Sequence, residues 1–299
     1  MSLFDRFIAG EALQIDDQVR SETPERFVQL EDGYTYVEQS GPAAAETIIL
    51  IHGFSVPNFI WDPTFEALVA QGFNVIRYDL FGRGLSDRPV VRYDLALFRR
   101  QLEELIQALN LPSKINLLSL SMGAVIAADF SGHHPERIAR LGFIGPAGFD
   151  LEFPWQANLL RVPIAGEILL GSFDRFGRQS LLEGMLSDFY NPSQEAKDYF
   201  IPRYMQQMQY QGFKRALLST LRQNVLSAQL HLFETIANQE FPVLLIWGEH
   251  DQTVPYKHHR AFQQIIPRTQ FHPIAQAGHI PYFEHPQLVN PLIIDFFQR

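Results

Sequence analysis

The most informative part of this sequence is the heptapeptide Leu117-Leu118-Ser119-Leu120-Ser121-Met122-Gly123. The mostly apolar run from Ile115 to Leu118 leads into it. This run is too short for a helix of its own, so it predicts a buried strand. Ala124 to Ala128 follow the heptapeptide and predict a helix packed on a sheet. We therefore place Ser121 on a sharp strand-to-helix turn, with its hydroxyl above the sheet and beside the N–H groups of the helix start.

Such a turn needs small neighbours, because the start of the helix passes close to the end of the strand. Ser119 and Gly123 lie two residues before and two residues after Ser121. The usual pattern has glycine at the first of these positions, and here Ser119 replaces it. We expect Ser119 to lie beneath the turn as a packing residue and not as a second nucleophile. Taken alone, the pattern is also compatible with an ordinary strand–turn–helix unit.

Composition limits the possible classes of protein. The chain has 299 residues, of which 46% are hydrophobic and 19% are charged, so it can form one large α/β domain with an inserted subdomain. A formal net charge of −9 without a basic run argues against nucleic acid as a partner and against docking on anionic membranes. The absence of cysteine excludes disulfides, a thiolate nucleophile and cysteine-based metal sites.

No targeting or membrane-spanning segment is predicted. Met1 to Gly10 lacks the basic start and the long apolar run of a signal peptide. No stretch approaches the roughly 20 apolar residues that a membrane span requires. The sequence therefore predicts a cytoplasmic enzyme without an integral membrane span.

The rhythm of apolar residues divides the chain into three parts. Residues 1–26 are a lead-in of undetermined structure. Residues 27–149 and 241–299 alternate strand-like and helix-like runs, which predicts an α/β core with a mostly parallel sheet. Residues 150–240 lack strand-like runs and predict a helical cap over one end of the sheet. The helices predicted there are Leu159–Leu170, Gln194–Gln211 and Lys214–Ala237.

The reactive side chains all follow predicted strands. Ligands of a parallel sheet bind beyond the carboxyl ends of its strands, so residues at those ends should converge. The chain order serine, aspartate, histidine is also the order expected of this architecture. The residues concerned are His52-Gly53-Phe54, Ser121, Asp251 and His279.

With these residues the chain resembles the α/β-hydrolase family, in the form that carries a helical cap. The resemblance runs from about Phe27 to the C-terminus. It implies a serine hydrolase that needs no cofactor and no metal and that cleaves a small-molecule carboxylic ester, as a carboxylesterase or monoacylglycerol-lipase-like enzyme would. The residues that carry it are His52-Gly53, Asp79, Gly82-Arg83-Gly84, Ser86, Ser121, Gly123, Gly248-Glu249-His250-Asp251 and Gly278-His279.

The roles of the residues follow from their chemistry and from the resemblance. Ser121 would attack the ester carbonyl after His279 takes its proton, because imidazole titrates near neutrality. Asp251 would fix the tautomer of His279 and stabilise the imidazolium. The family pattern implies that the backbone N–H groups of Phe54 and Met122 form the oxyanion hole.

Other residues offer alternatives at the site. Glu249 or Asp150 could replace Asp251 as the acid, and we favour Asp251. His52 is interpreted as a residue that orders the oxyanion loop, and Asp79 and Arg83 as organisers of their own loop. The pairs His133-His134 and His258-His259 are interpreted as surface residues rather than metal ligands.

Three rival functions stay open at this stage. A similar triad hydrolyses C–C bonds in diketone-type substrates, although the bulky stretch Phe54-Ser55-Val56-Pro57 argues against it. The same triad also suits a cofactor-free perhydrolase or haloperoxidase. A third reading is a ligand receptor on a hydrolase scaffold. The sequence leaves acyl chain length and oligomeric state open.

Overall fold

An eight-stranded sheet forms the centre of the molecule. The computed structural model describes residues 10–150, 160–163, 165–166, 182 and 184–299. The strands are β1 (Arg26–Leu30), β2 (Gly33–Ser40), β3 (Thr47–Ile51), β4 (Asn74–Tyr78), β5 (Ile115–Leu120), β6 (Ile138–Ile144), β7 (Val243–Gly248) and β8 (Gln270–Ile274). They lie in the order β1-β2-β4-β3-β5-β6-β7-β8.

The sheet is mostly parallel, as predicted. β1 and β2 form an antiparallel hairpin around Asp32-Gly33, and β2 pairs antiparallel with β4. Every pairing from β4 through β3 and β5 to β8 is parallel. Strands β3, β4, β5 and β7 are buried along their whole length, because helices cover both faces. The predicted fold class is therefore confirmed.

Helices pack on the two faces of the sheet and form two hydrophobic clusters. In chain order, the helices of the described residues are α1 (Asp17–Glu22), α2 (Asp62–Ala70), α3 (Leu95–Ala108), α4 (Met122–His133), α5 (Gln194–Gln207), α6 (Phe213–Arg222), α7 (Leu230–Ala237), α8 (His259–Ile265), α9 (Pro281–Glu284) and α10 (Pro286–Gln298). Within the described ranges, none of these helices combines the length and the apolar character needed to cross a bilayer.

The single helix predicted over Lys214–Ala237 is wrong. The chain forms α6, then an irregular turn, then α7. Asn224 and Ala228 have φ angles of 53° and 59°, in the left-handed region that a right-handed helix cannot contain. Asparagine adopts the left-handed conformation more readily than most residues, which allows the helix to end at this point. The spacing of apolar residues continues past this end, and for that reason the sequence predicted one helix instead of two. The helix predicted over Leu159–Leu170 lies largely outside the described residues.

The N-terminal lead-in packs against the segment between β6 and β7. Leu13 forms a bridge with Tyr210. The carboxylate of Glu11 accepts the backbone N–H groups of Gly212 and Lys214 at 2.6 and 2.7 Å, where α6 begins. No local pattern of residues predicts this contact.

Candidate active site

Ser121 lies on the predicted turn between β5 and α4. Its φ of 54° and ψ of −118° are strained for a residue with a side chain. Its hydroxyl makes no capping hydrogen bond to α4. At Gly123 a Cβ atom would lie 2.4 Å from the carbonyl oxygen of Ile51, so only glycine lets α4 pass the end of β3. The strained turn therefore presents a hydroxyl that the helix does not use.

Ser119 lies inside the sheet, and its prediction as a packing residue is confirmed. Its side chain is fully buried, and its Oγ donates to the carbonyl of Gly142 on β6 at 3.0 Å. The hydroxyl of Ser119 thus has its hydrogen-bond partner on the neighbouring strand. It has no access to a substrate above the turn.

The loop after β3 passes beside Ser121. Ile51 pairs with Ser119 across β3 and β5, so both strands end at the same level. A Cβ built on Gly53 would lie 3.3 Å from the Cβ of Ser121. Within the described ranges no backbone carbonyl accepts a hydrogen bond from the N–H of Phe54 or Met122. Among the described residues, both N–H groups thus lack a backbone acceptor.

His52 orders this loop. Its Nδ1 donates to the carbonyl of Gly53, and its Nε2 accepts the N–H of Leu80, both at 2.9 Å. The contact with Leu80 fixes the neutral tautomer, because Nε2 must carry a lone pair. Burial lowers the pKa of His52 to about 3, although the bond to Gly53 opposes this effect. Both ring nitrogens are engaged, so His52 is not placed to shuttle protons.

His279 and Asp251 form a buried couple at the ends of β8 and β7. The Nδ1 of His279 lies 2.8 Å from Oδ2 of Asp251. The other oxygen of Asp251 accepts the backbone N–H groups of Thr253 and Val254 at 2.9 and 2.8 Å. These bonds orient the carboxylate toward the ring. The alternative acids, Glu249 and Asp150, have exposed side chains.

Electrostatics make His279 a stronger base than ordinary histidine. Burial alone lowers the pKa of His279, but the charge of Asp251, its hydrogen bond and the charge of Asp188 together raise it to about 8. The carboxylate on Nδ1 directs that nitrogen to carry the proton, which leaves Nε2 as the basic atom.

The couple lies next to the Ser121 turn. The N–H of Ser121 donates to the carbonyl of Ile144, at the end of β6, at 3.0 Å. A Cβ built on the next residue, Gly145, would lie 3.0 Å from Nδ1 of His279 and 3.1 Å from Oδ2 of Asp251. The ends of β5, β6, β7 and β8 thus bring the predicted residues into one region.

Asp79 and Arg83 organise the loop after β4. The carboxylate of Asp79 accepts the N–H groups of Asn58 and Leu85, each at 2.8 Å, and burial raises the pKa of Asp79 to about 7. The guanidinium of Arg83 donates to the carbonyl of Phe54 at 2.8 Å. Arg83 therefore fixes the backbone of Phe54, the residue that follows Gly53 in the loop beside Ser121.

The side chains of the paired histidines contact other protein groups. His133 bonds to the carbonyl of Asp129, and His134 to the carboxylate of Glu103. His258 stacks on Phe149. Over the residues that the structure describes, no three potential ligands come together around a metal-sized space.

Asp188 was not found from the sequence. It belongs to the segment between β6 and β7, and its carbonyl accepts the backbone N–H of His279 at 2.6 Å. Nothing in the sequence around Asp188 marks it, since its role depends on a contact between two distant parts of the chain.

Comparison with known proteins gives the family. Residues 46–286 match the family model of the α/β-hydrolase fold. The chain is 28% identical to Lipase 1 of Psychrobacter immobilis over 261 aligned residues, and the alignment covers 85% of this chain and 77% of the lipase. It is also 28% identical over 287 residues to a 2-hydroxy-6-oxononadienedioate/2-hydroxy-6-oxononatrienedioate hydrolase of Cupriavidus pinatubonensis, spanning 91% of this chain and 94% of the relative. The enol-lactonase structure from Burkholderia xenovorans shares the fold, with a TM-score of 0.77 and 19% sequence identity. The superposition covers 92% of this chain and 100% of the lactonase chain. The chain belongs to the α/β-hydrolase family.

Proposed function

We propose that this α/β-hydrolase is a serine hydrolase that cleaves carboxylic esters through an acyl-enzyme. The observation that carries the proposal is the buried His279–Asp251 contact of 2.8 Å beside the strained turn of Ser121. A hydroxyl on such a turn, next to a histidine oriented by a carboxylate, is the arrangement that nucleophilic acyl transfer needs.

The chemistry would proceed in two halves. Nε2 of His279 takes the proton of Ser121, and Oγ attacks the ester carbonyl. The N–H groups of Phe54 and Met122 then stabilise the oxyanion, which typically contributes roughly 3–4 kcal/mol for each donor. His279 returns its proton to the departing alcohol. Water, deprotonated by His279, releases the carboxylic acid and restores Ser121.

We further propose that residues 150–240 form a cap that selects substrates with an apolar acyl or alcohol group. The described part of the cap shares one hydrophobic cluster with Val56 and Leu120, the near neighbours of the oxyanion loop and of Ser121. The buried cap side chains in that cluster are Met185, Phe189, Phe200, Tyr204, Met208, Phe213 and Leu217. An ester bound between cap and sheet would meet mainly apolar surface.

A panel of p-nitrophenyl esters of graded acyl length tests the activity. We expect turnover that rises with acyl length up to the size of the pocket and disappears in Ser121→Ala. A fluorophosphonate should label Ser121 alone, and Ser119→Ala, a matched variant two residues away, should keep both label and turnover. Equal rates in wild type and Ser121→Ala, or labelling of another residue, would contradict the proposal.

C–C bond hydrolysis is the second candidate, because the relative from Cupriavidus pinatubonensis covers this chain as fully as the lipase does. The two activities share the triad and differ in the bond that breaks. A 2-hydroxy-6-oxo-dienoate assayed beside the ester panel separates them. A kcat/KM for the dienoate above that of every ester would replace our first proposal with this one.

A further inference from the structure

Residues 188–190 of the cap, which we call this end of the cap, pack against the loop that carries His279. At Gly278 a Cβ atom would lie 2.5 Å from the carbonyl oxygen of Asp188, so the two backbones touch with no room for a side chain. The same carbonyl accepts the N–H of His279 at 2.6 Å. A residue of the cap thus holds the backbone of the proposed base directly.

The side chain of Asp188 reaches the other half of the couple. Its Oδ1 accepts the hydroxyl of Thr253 at 2.5 Å. Thr253 also donates its backbone N–H to Asp251 at 2.9 Å. One half-buried cap residue therefore bonds to the histidine loop through its carbonyl and to the aspartate loop through its carboxylate.

Two further contacts fasten the same end of the cap. The carboxylate of Glu284 accepts the N–H of Tyr190 at 2.8 Å and the N–H of Gly278 at 2.6 Å, which ties cap and histidine loop to one group. The ring of Tyr190 stacks on His250, with centroids 3.9 Å apart. Residues 188–190 are consequently joined to both loops of the site.

We propose that Asp188 is a positioning residue of the hydrolase, which holds the loops of His279 and Asp251 against each other and so sets the geometry of the His279–Asp251 couple. The inference rests on the proposed function, because it assigns His279 the role of base. It adds that the cap does more than enclose the substrate: it completes the acid–base machinery.

The charges around His279 give this role a measurable signature. The charged groups that act on the imidazole are Asp251 and Asp188, and Glu284 lies close enough to act on Asp188. Burial raises the pKa of Asp188, while the charge of His279 and the bond from Thr253 oppose that effect. Because carboxylates favour the imidazolium, loss of the Asp188 charge should lower the pKa of His279 from about 8.

The pH profile of Asp188→Asn tests the proposal. The base must be neutral, so kcat/KM rises with pH through the pKa of His279. In Asp188→Asn we expect this rise to move to lower pH by about half a unit. At pH values well below the midpoint, the variant would then retain about threefold more of its own plateau than wild type does. The plateau of kcat should itself fall several-fold, because the couple is less well held.

Matched variants separate charge from shape. Asp198 is an exposed acid on α5 of the same cap, so Asp198→Asn should leave both profile and plateau unchanged. Asp188→Glu keeps the charge and should keep the wild-type midpoint. Should Asp188→Asn fail to fold, Thr253→Val removes only the hydroxyl that binds Asp188, and an unaltered kcat in that variant would overturn the proposal.

An NMR titration of the His279 imidazole reads the same property without turnover. A lowered midpoint in Asp188→Asn supports the proposal, and an unchanged midpoint overturns it, even if the plateau of kcat falls. Absence of ester hydrolysis in wild type would defeat the proposed function alone, since the titration still reports whether Asp188 acts on His279.

Discussion

His52 and His279 follow two strands of one sheet, each beside a glycine and each buried, yet the structure treats them in opposite ways. His52 bonds only to backbone groups, and burial lowers its pKa to about 3. For His279 burial acts in the same direction, but the carboxylates of Asp251 and Asp188 outweigh it and raise the pKa to about 8. Residue type and burial are shared, so the partner of each ring determines whether the pKa of its imidazole is lowered or raised.

The strongest test of this contrast is His279→Gln. Without the base, we expect kcat for p-nitrophenyl esters to fall by up to about 10⁶-fold, as when a triad histidine is removed. His52→Gln is the matched control, because its Oε1 can still accept the N–H of Leu80. Measured per folded molecule, the control should keep most of its activity. Similar losses of kcat in the two variants would show that the opposite pKa shifts of the two rings do not reflect different roles in catalysis.

Asp251→Asn should give the next largest effect, a fall in kcat of roughly 10⁴-fold, because an amide no longer selects the productive tautomer of His279. The carboxylates of Glu249 and Asp150 are exposed and should not rescue it. Steady-state kinetics with the double variants Asp251→Asn/Glu249→Gln and Asp251→Asn/Asp150→Asn check this. A further loss in either double variant would identify a substitute acid.

The third prediction concerns stability. His52 has a folded-state pKa of about 3, below the unfolded value of 6.5, so its contribution is present above pH 6.5 and is lost as the pH falls toward 3. This amounts to about 5 kcal/mol at most. In denaturant unfolding, the free energy of unfolding of the wild type should therefore fall as the pH is lowered from 6.5 toward 3. The free energy of unfolding of His52→Gln should fall less over the same pH interval. An identical pH dependence in the two proteins would contradict the neutral buried ring.

His279 should show the opposite sign. Its folded-state pKa of about 8 exceeds the unfolded value of 6.5, so its contribution is complete below pH 6.5 and is lost as the pH rises through 8. The size is roughly 2 kcal/mol. Denaturant unfolding between pH 6 and 9 should show this fall in the free energy of unfolding in wild type and in His52→Gln, but not in His279→Gln.

The smallest expected effect is that of Ser119→Gly. This change restores the usual small residue beneath the turn and removes one hydrogen bond to Gly142, worth about 1 kcal/mol. Activity should stay within a few-fold of wild type, while thermal unfolding reports a modest loss of stability. Loss of activity comparable to that of Ser121→Ala would mean that the wrong serine was chosen.

Much of the architecture could be predicted because the signals are local. The alternation of strand-like and helix-like runs predicted the mostly parallel sheet, since β-branched runs such as Thr47–Ile51 and the apolar spacing of helices such as Pro286–Gln298 report burial directly. The helix over Lys214–Ala237 was wrong because one left-handed residue ends a helix without disturbing the apolar pattern. The docking of Glu11 on the start of α6 had no local signal at all.

The sequence by itself determined that a serine, an aspartate and a histidine stand at the ends of parallel strands, because alternating strands and helices bring those ends to one edge. Only the tertiary structure decided that His279 contacts Asp251 rather than Glu249 or Asp150, that His52 spends both nitrogens on the backbone, and that Asp188 reaches both loops of the couple. Such contacts join segments far apart in the chain, and they depend on how whole elements pack, which no local pattern of residues records.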